Sequence, residues 1–174
     1  MKYVVVNGFP RTGKTTFTAY CLKYLGAYGT AISTVDFIKE FAKNCGWEGE
    51  KTPRDRKFLS DLKKLLADWD DVPWKKVQAH IEQFRSTFEQ FDMSTDKAVV
   101  FIHSREPEEI ERFKTQLSAV TVLISRGARN VEELSNYSDR HINDVDYDYV
   151  IKNDGTLEEL EQKAKEFCDM IRDE

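Results

Sequence analysis

The chain has 174 residues, of which 40% are hydrophobic and 33% are charged, a composition typical of a folded globular protein and not of a disordered one. A net charge of −5 and a pI near 5.4 argue against a protein that binds duplex nucleic acid, which usually presents a basic face. No apolar run approaches the roughly 20 residues that cross a bilayer. We therefore expect one domain with neither nucleic acid nor a membrane as partner.

Two further features predict a cytoplasmic protein. The first residues already have the pattern of a strand, which leaves no room for a secretory signal peptide. The three cysteines, Cys21, Cys45 and Cys168, are odd in number, lack metal-ligand spacing and fall at apolar helical positions. We interpret them as reduced cysteines of the core.

The N-terminal stretch carries the most specific motif of the sequence. Residues 3–6, Tyr-Val-Val-Val, predict a buried strand because they are apolar and mostly β-branched. Residues 8–15, Gly-Phe-Pro-Arg-Thr-Gly-Lys-Thr, match G-x-x-x-x-G-K-[ST]. Apolar side chains at positions 17, 21, 24 and 25 then have helical spacing. This order of strand, loop and helix is the context in which the motif indicates a phosphate-binding loop.

The chemistry of such a loop explains its residue types. Glycines at both ends let the backbone curl so that successive N–H groups point inward, and the next helix adds its positive end. Lys14 would place its charge on the outer phosphates, and the hydroxyl of Thr15 is a hard ligand for Mg²⁺. The residues predicted to bind the nucleotide are Gly8, Arg11, Thr12, Gly13, Lys14, Thr15 and Thr16.

The next segment predicts a short strand followed by several helices. Glycines at 26 and 29 mark a turn, residues 30–35 form a second strand, and Asp36 ends it. Apolar spacing predicts helices over 37–45, 54–69 and 74–91. The third helix would bury Phe58, Leu62, Leu65, Leu66 and Trp69. The stripe of the fourth, which runs from Trp74 to Phe91, could be a seam for a partner, but we favour packing against the third helix and the core.

The second half of the chain returns to alternating strands and helices. Strands are predicted at 98–102, 120–124 and 147–151, with a helix after Pro107 and a final helix opened by the capping box at 156–159. This alternation indicates an α/β fold with a parallel sheet covered on both faces. Ligands of such sheets lie at the carboxyl ends of the strands. The polar residues at these ends are Asp36, His103, Ser104, Arg105, Arg126, Arg129, Asn153, Asp154 and Gly155.

Two classes of phosphate-loop protein compete at this point. A nucleotide switch or motor needs a carboxylate at the end of the strand opposite the loop, together with an element that senses the γ-phosphate. A small-molecule kinase needs an acceptor pocket and several cations around the transferred phosphoryl group. Arg54 and Arg56 in the helical insert, with Arg105, Arg126 and Arg129 after strands, favour the kinase.

The chain resembles the nucleoside monophosphate kinase-like P-loop kinases, and especially the deoxynucleoside monophosphate kinases of tailed phages and bacteria. The resemblance rests on residues 8–15, on Ser-Arg-Glu-Pro-Glu-Glu at 104–109, on the arginines after strand 4 and on residues 147–157. It implies a three-layer P-loop NTPase fold with a five-stranded parallel sheet of order 2-3-1-4-5. A helical acceptor-binding insert (about 46–92) and a lid (about 126–146) would belong to one domain, 1–174.

The resemblance also implies roles for the arginines. Arg54 or Arg56, together with Arg105, would hold the phosphate of the acceptor. Arg126 and Arg129 would be lid residues that close on the transferred group, the intramolecular counterpart of an arginine finger.

Two more positions have an implied place in the site. The turn at 153–156, with Asn153 and Gly155, would border the adenine of the donor, largely through its backbone. Asp36 would accept a hydrogen bond from the acceptor or hold a metal-bound water, which puts it beside Lys14, Arg126 and Arg129 among the catalytic candidates. It could equally be an exposed helix cap.

One departure from the family concerns the end of strand 3. Many of these kinases have an aspartate there, whereas this chain has His103-Ser104. Because a neutral imidazole is a poor ligand for Mg²⁺, the metal would depend on Thr15, the ATP phosphates and waters, with Asp36 or Glu109 acting indirectly. His103 itself would either contact the substrate or be a satisfied core histidine.

Together these features predict a kinase that uses ATP and Mg²⁺ and acts on a small phosphorylated acceptor, with a nucleoside or deoxynucleoside monophosphate favoured. Two alternatives stay open. One is a kinase of a non-nucleotide phosphorylated metabolite such as phosphomevalonate. The other is a nucleotide-binding regulatory module without phosphotransfer, which the missing carboxylate of strand 3 favours.

Overall fold

The computed structural model describes residues 1–50, 52–127 and 141–173. Its strands are β1 (Lys2–Asn7), β2 (Gly29–Ser33), β3 (Val99–His103), β4 (Val120–Ser125) and β5 (Tyr149–Lys152). Its helices are α1 (Lys14–Leu25), α2 (Asp36–Asn44), α3 (Pro53–Asp70), α4 (Val72–Gln90), α5 (Pro107–Leu117) and α6 (Leu157–Asp173). Short 3-10 turns cover Gly26–Tyr28 and Ile142–Asp144.

The strands form one sheet in the order β2-β3-β1-β4-β5, which confirms the predicted α/β fold and the order 2-3-1-4-5. The central strand β1 runs parallel to β3 and β4, and β4 runs parallel to β5. The carboxyl ends of these strands therefore meet at one edge, and the segments that follow them are brought together there.

The core lies between the sheet and the helices α1 and α6. Val4 and Phe101 on one face, and Val5 and Ile102 on the other, are all 0% exposed, as expected for strands covered on both faces. The ring of Phe17 in α1 lies 5.7 Å from the ring of Phe167 in α6. Burying such a side chain stabilises the fold by about 1.5–3 kcal/mol, so these contacts fix the helix that follows the loop.

A side-chain clip sets how β5 begins beside β4. One carboxylate oxygen of Asp148 accepts hydrogen bonds from the backbone N–H and the hydroxyl of Thr121, both at 2.7 Å. Burial tends to raise the pKa of Asp148, but the hydrogen bonds from Thr121 outweigh it and hold that pKa below its ordinary value. The clip explains why β5 starts at Tyr149 and not at the predicted residue 147.

The chain divides into two compact units, one made of Met1–Ala31 with Ser94–Glu174 and the other of Ile32–Met93. Within the second unit, α3 packs on α2 and α4. This helical unit contains the predicted insert at 46–92, whose role in binding an acceptor stays a prediction.

Local capping and apolar burial define the helices of the helical unit. Thr52 and Asp55 form a reciprocal capping box at the start of α3, where Pro53 occupies the first turn. In α4, the side chains of Val77, Ile81 and Phe88 are 0–3% exposed, so most of its apolar stripe is internal. Phe91, just after the helix, is 66% exposed.

The predicted buried stripe of α3 is partly wrong. Phe58, Leu65 and Trp69 are 40%, 64% and 74% exposed, whereas Lys63 is 6% exposed. The apolar arc of α3 is wider than the face that α2 and α4 cover, so its outer edge stays in solvent. A lysine can lie on the inner side because its methylene stem is apolar.

The cysteines are free thiols but not all belong to the core. Cys21 and Cys168 are buried, and Cys45, at the end of α2, is exposed; the core assignment of Cys45 is therefore wrong. A hydrogen bond with Cys168, followed by burial, raises the pKa of the Cys21 thiol. This thiol stays protonated and behaves as a small apolar group.

Candidate phosphate-binding site

The motif at residues 8–15 joins the carboxyl end of β1 to the first turn of α1. The register places Val6 beside His103 of β3 and Asn7 beside Leu123 of β4. The segments after β3 and β4 thus start on either side of the loop. The topology of the sheet, and not sequence distance, puts these three segments at one edge.

The backbone of the loop is curled. Gly8, Arg11 and Gly13 have φ angles of 150°, 64° and 97°. Both the N–H and the hydroxyl of Thr12 donate to the carbonyl oxygen of Phe9, at 3.4 Å and 2.9 Å. A non-glycine residue such as Arg11 in the left-handed region costs about 1–2 kcal/mol, so the surrounding contacts hold it there. Alternating right- and left-handed residues turn N–H groups toward one side, which makes an anion-binding concavity.

Both motif glycines are required by close approaches as well as by their φ angles. A Cβ on Gly8 would lie 2.4 Å from the carbonyl oxygen of Ile124, and one on Gly13 would lie 2.4 Å from Nδ2 of Asn153. Neither neighbour is an exposed flexible chain end, because one is the β4 backbone and the other is a buried side chain. The loop is therefore packed against β4 and against the residue after β5.

The start of α1 gives the loop a positive electrostatic character. The first helical hydrogen bond runs from the N–H of Phe17 to the carbonyl of Gly13 at 2.8 Å, so the amides of Thr15 and Thr16 precede it. The first turn holds no acidic side chain. The Nζ of Lys14 donates to the carbonyl oxygens of Gly8 and Phe9 at 2.5 and 2.7 Å. A cation and helix-terminal amides thus converge on this loop, as anion binding requires.

The fit of a divalent cation rests on Thr15. Its side chain is exposed at the N-terminus of α1, and a hydroxyl there is a hard oxygen ligand of the kind that Mg²⁺ accepts together with phosphate oxygens and waters. Across the part of the chain that the structure describes, no three His, Cys, Asp or Glu side chains group as a metal site. The hydroxyl of Thr15 therefore fits a metal ion that arrives with a polyphosphate.

A buried polar network under the loop was missed by the sequence prediction. Asn7 is 0% exposed; its Oδ1 accepts from the N–H of Gly8 at 2.7 Å, and its Nδ2 donates to the hydroxyl of Tyr147 at 2.6 Å. That hydroxyl donates to the carbonyl of Ile142 at 3.0 Å. The network joins the loop to the segment just before β5. An asparagine between a buried apolar strand and the first motif glycine is the signal that could have found it.

Asn153 ties the residue after β5 to the loop from the other side. Its backbone N–H donates to Ser125 at 2.7 Å, and its Nδ2 donates to the carbonyl of Thr12 at 2.8 Å. Its neighbour Asp154 accepts from the N–H of Gly127 at 2.6 Å. Asn153 is 6% exposed, so its amide is part of the wall of the loop, while contact of residues 153–156 with adenine stays a prediction.

At the end of β3, where related kinases would be expected to have an aspartate, this chain has His103, which is hydrogen-bonded to a threonine of α1. Nε2 of His103 lies 3.0 Å from Oγ1 of Thr18, one turn beyond the motif in α1. The hydroxyl of Ser104, which is 2% exposed, donates to Glu109 at 2.6 Å. This geometry supports the interpretation of His103 as a satisfied histidine that braces β3 against α1.

The predicted arginines divide between the described units. Arg105 follows β3 and is half-buried, and Arg126 follows β4 and is exposed; both therefore begin at the edge that carries the loop. Arg54 and Arg56 are exposed in the first turn of α3, within the helical unit. Arg129, with most of the predicted lid, lies outside the described residues. Their roles toward a substrate stay predictions.

Asp36 has local partners in the helical unit. As the first residue of α2, it accepts from the backbone N–H of Ser33 at 3.0 Å, and it lies 3.6 Å from Nζ of Lys39. These contacts account for an acidic residue at a helix start without a ligand. The catalytic role of Asp36 stays a prediction.

Comparisons with known proteins give only distant structural likenesses. No model of a protein family matches the chain, and no curated protein matches its sequence. Among solved structures, shikimate kinase from Aquifex aeolicus has 13% identity and a TM-score of 0.48, with 97% of each chain covered. A sugar kinase from Janibacter has 15% identity and a TM-score of 0.45, with 99% of this chain and 96% of that chain covered. At these values the likeness carries no argument about the fold or the reaction of this chain.

Gly13→Ala tests the packing of the loop. We expect the variant to lose more free energy of unfolding than Gly46→Ala, since Gly46 has a similar φ of 92° but a Cβ there meets nothing within 4 Å. The difference, of about 1–3 kcal/mol, reports displacement of Asn153. Urea unfolding of both variants measures it, and equal losses would contradict the close approach.

Tyr147→Phe tests the network under the loop through its pH dependence. Burial raises the pKa of Tyr147 from its ordinary 10.0 to about 12. A group whose pKa is raised on folding contributes stability that is complete below the unfolded pKa and is lost as pH rises through the folded pKa. The advantage of the wild type over the Phe variant should therefore shrink between pH 10 and pH 12. Unfolding free energies of the wild type and the variant measured across that range decide it, and an advantage that stays constant from pH 10 to pH 12 would contradict the network.

Proposed function

We propose that the chain is a P-loop kinase that transfers a phosphoryl group from ATP, with Mg²⁺, to a small phosphorylated acceptor. The observation that carries the proposal is the curled loop of residues 8–15, set between β1 and α1 with Lys14 folded across it. Amides, a lysine and a threonine hydroxyl in this arrangement suit the β- and γ-phosphates of a nucleotide and their metal ion.

The arginines favour phosphotransfer to an acceptor over simple nucleotide binding. Arg105 and Arg126 follow the two strands that flank β1, so their backbones begin on opposite sides of the phosphate loop. In an acidic chain this placement is specific, because the general surface offers no positive field. We assign Arg105, with Arg54 or Arg56, to the acceptor phosphate and Arg126 and Arg129 to the transferred group. A nucleoside or deoxynucleoside monophosphate is the acceptor that we favour.

Each residue then has a simple task. The amides after Gly13 and the Nζ of Lys14 hold the donor phosphates and balance the charge that develops during transfer. Thr15 would hold Mg²⁺, which neutralises phosphate charge and orients the donor. The arginines fix the acceptor in line, so that most of the acceleration comes from positioning and charge. Asp36 would orient the acceptor.

One observation favours a second candidate, a nucleotide-binding module without phosphotransfer. The end of β3 presents His103, bonded to Thr18, in place of a carboxylate that would support the metal. A module of this kind would bind ATP through the same loop but would show no turnover that depends on an acceptor.

The proposal includes the expected surroundings of the enzyme. No helix of the described residues has the length and apolar content that spanning a membrane requires. We propose a cytoplasmic location and small-molecule substrates, with no duplex nucleic acid as partner, on the grounds of the acidic charge and the free cysteines.

An acceptor panel with Lys14→Ala tests the proposed reaction. ADP release is measured with ATP, Mg²⁺ and each nucleoside and deoxynucleoside monophosphate, and then with phosphomevalonate and related phosphorylated metabolites. We expect turnover with one or more nucleotides and a loss of at least about 100-fold in Lys14→Ala. The control Lys97→Ala, at an exposed position outside the loop, should keep its activity.

The other outcomes of the panel are equally informative. Turnover only with a non-nucleotide metabolite would change the proposed acceptor from a nucleotide to that class of metabolite. ATP binding with no turnover on any acceptor would favour the regulatory module. Failure of the wild type to bind ATP would overturn the proposal.

Arg126→Ala and Arg129→Ala test the lid. Because such a cation acts mainly in the transition state, its removal should lower kcat by on the order of 1,000-fold while the KM for ATP changes little. Steady-state kinetics of both variants, beside Arg172→Ala in the last turn of α6, measure this. An unchanged kcat in both would remove the lid assignment.

A further inference from the structure

Tyr147 lies at the far end of the polar network under the phosphate loop. Its hydroxyl donates to the carbonyl of Ile142 at 3.0 Å, and this bond uses the single proton of the phenol. Toward Asn7, at 2.6 Å, the same oxygen can therefore only accept. Tyr147 thus requires the NH2 end of the Asn7 amide to face it.

The orientation of Asn7 decides what the first amide of the loop meets. With Nδ2 turned to Tyr147, Oδ1 lies 2.7 Å from the backbone nitrogen of Gly8 and accepts its N–H. A flipped amide would set an NH2 group against that N–H and a carbonyl oxygen against the lone pairs of the phenol. Because Asn7 is 0% exposed, solvent would not replace the lost bonds. Only one orientation of Asn7 makes both hydrogen bonds.

Gly8 links this network to Lys14. Its N–H is held by Asn7, and its carbonyl oxygen accepts from Nζ of Lys14 at 2.5 Å. A glycine rotates easily about both backbone bonds, so these two contacts are what fix the backbone at the start of the loop. The position from which Lys14 reaches a phosphate depends on where this carbonyl lies.

The segment that presents Tyr147 is itself anchored on both sides. The carbonyl of Asp146 accepts from Nζ of Lys114 at 3.1 Å, and Asp148 is bound to Thr121. Among the described residues, Nδ2 of Asn7 has Tyr147 as its hydrogen-bond partner. A side chain that orients another must come from backbone that does not move with it, and Tyr147 meets this requirement.

We propose that Tyr147 is a positioning residue for the donor polyphosphate. By orienting Asn7 it holds Gly8 in the conformation from which Lys14 and the later amides of the loop bind the phosphates. This role rests on the proposed function, because it concerns the same loop. The loop grips the donor in the ground state and in the transition state alike, so loss of the hydroxyl should weaken donor binding and leave kcat nearly unchanged.

The amide of Gly8 reports the orientation of Asn7 without any ligand. Asn7-Gly8 is the one Asn-Gly pair of the sequence, so a chain labelled with carbonyl-¹³C asparagine and ¹⁵N glycine gives a single correlated amide signal. In Tyr147→Phe we expect this signal to shift and the amide to exchange with solvent at least about tenfold faster, because Nδ2 has lost its partner and the Asn7 amide can turn.

Titration calorimetry of the full chain with inorganic tripolyphosphate, and with ATP and Mg²⁺, measures the effect on binding. In Tyr147→Phe we expect the Kd of both ligands and the KM for ATP to rise about tenfold, while kcat changes less than about twofold. The control Thr121→Val removes a hydroxyl that bonds to Asp148. It loosens the segment beside Tyr147 but leaves the network intact, so its affinities should stay within about twofold of the wild type.

Asn7→Ala tests whether Tyr147 acts through Asn7. If it does, adding Tyr147→Phe to Asn7→Ala should change the affinities little further, and the two substitutions should be far from additive. Urea unfolding of each variant shows whether it is folded under the conditions of the titration.

Three results would overturn this role alone. They are a Tyr147→Phe variant that binds both ligands as tightly as the wild type, an equal loss of affinity in Thr121→Val, and additive effects of Asn7→Ala and Tyr147→Phe. A wild type that binds neither tripolyphosphate nor ATP would overturn the proposed function as well. The expected losses of binding in a chain without turnover would support the role of Tyr147 and contradict phosphotransfer.

Discussion

The site depends on the way two asparagine side chains hold the loop of residues 8–15. Asn7 accepts from the first amide of the loop, and Asn153 donates to a carbonyl near its end. Both are almost fully buried, and an unmade hydrogen bond in such a place costs about 1–3 kcal/mol. The backbone is therefore curled before any anion arrives, and binding spends little free energy on ordering it.

The sequence predicts the architecture because local and global signals agree. The apolar strand at 3–6, the glycines of the motif and the amphipathic spacing of α1 all indicate the same unit, and alternation of strands and helices implies the parallel sheet. Long-range tertiary contacts cannot be inferred from these local patterns. Neither the bond between Asn7 and Tyr147 nor the one between Asn153 and the loop follows from spacing, since about 140 residues separate the partners.

The wrong predictions have a common cause. A helical pattern shows that an apolar arc exists, but not how much of that arc its neighbours cover. Trp69 is predicted to be buried on this basis and is mostly exposed. Cys45 has a similar apolar spacing, but it follows the last residue of α2 and is exposed. The open choice for His103 is a different case, because its hydrogen bond with Thr18 depends on how β3 and α1 pack, which sequence spacing does not give.

The hydrogen bond of Asn153 to the loop has a consequence for how the protein matures. During synthesis the motif is made before Asn153, the residue that closes its wall, which comes 141 positions after Thr12. Contacts of such sequence separation form late because the connecting chain must first lose its freedom. A nascent chain in which only β1 and α1 have left the ribosome would therefore contain the motif without its curled conformation. Under the proposed function, nucleotide binding would begin only once β5 has docked.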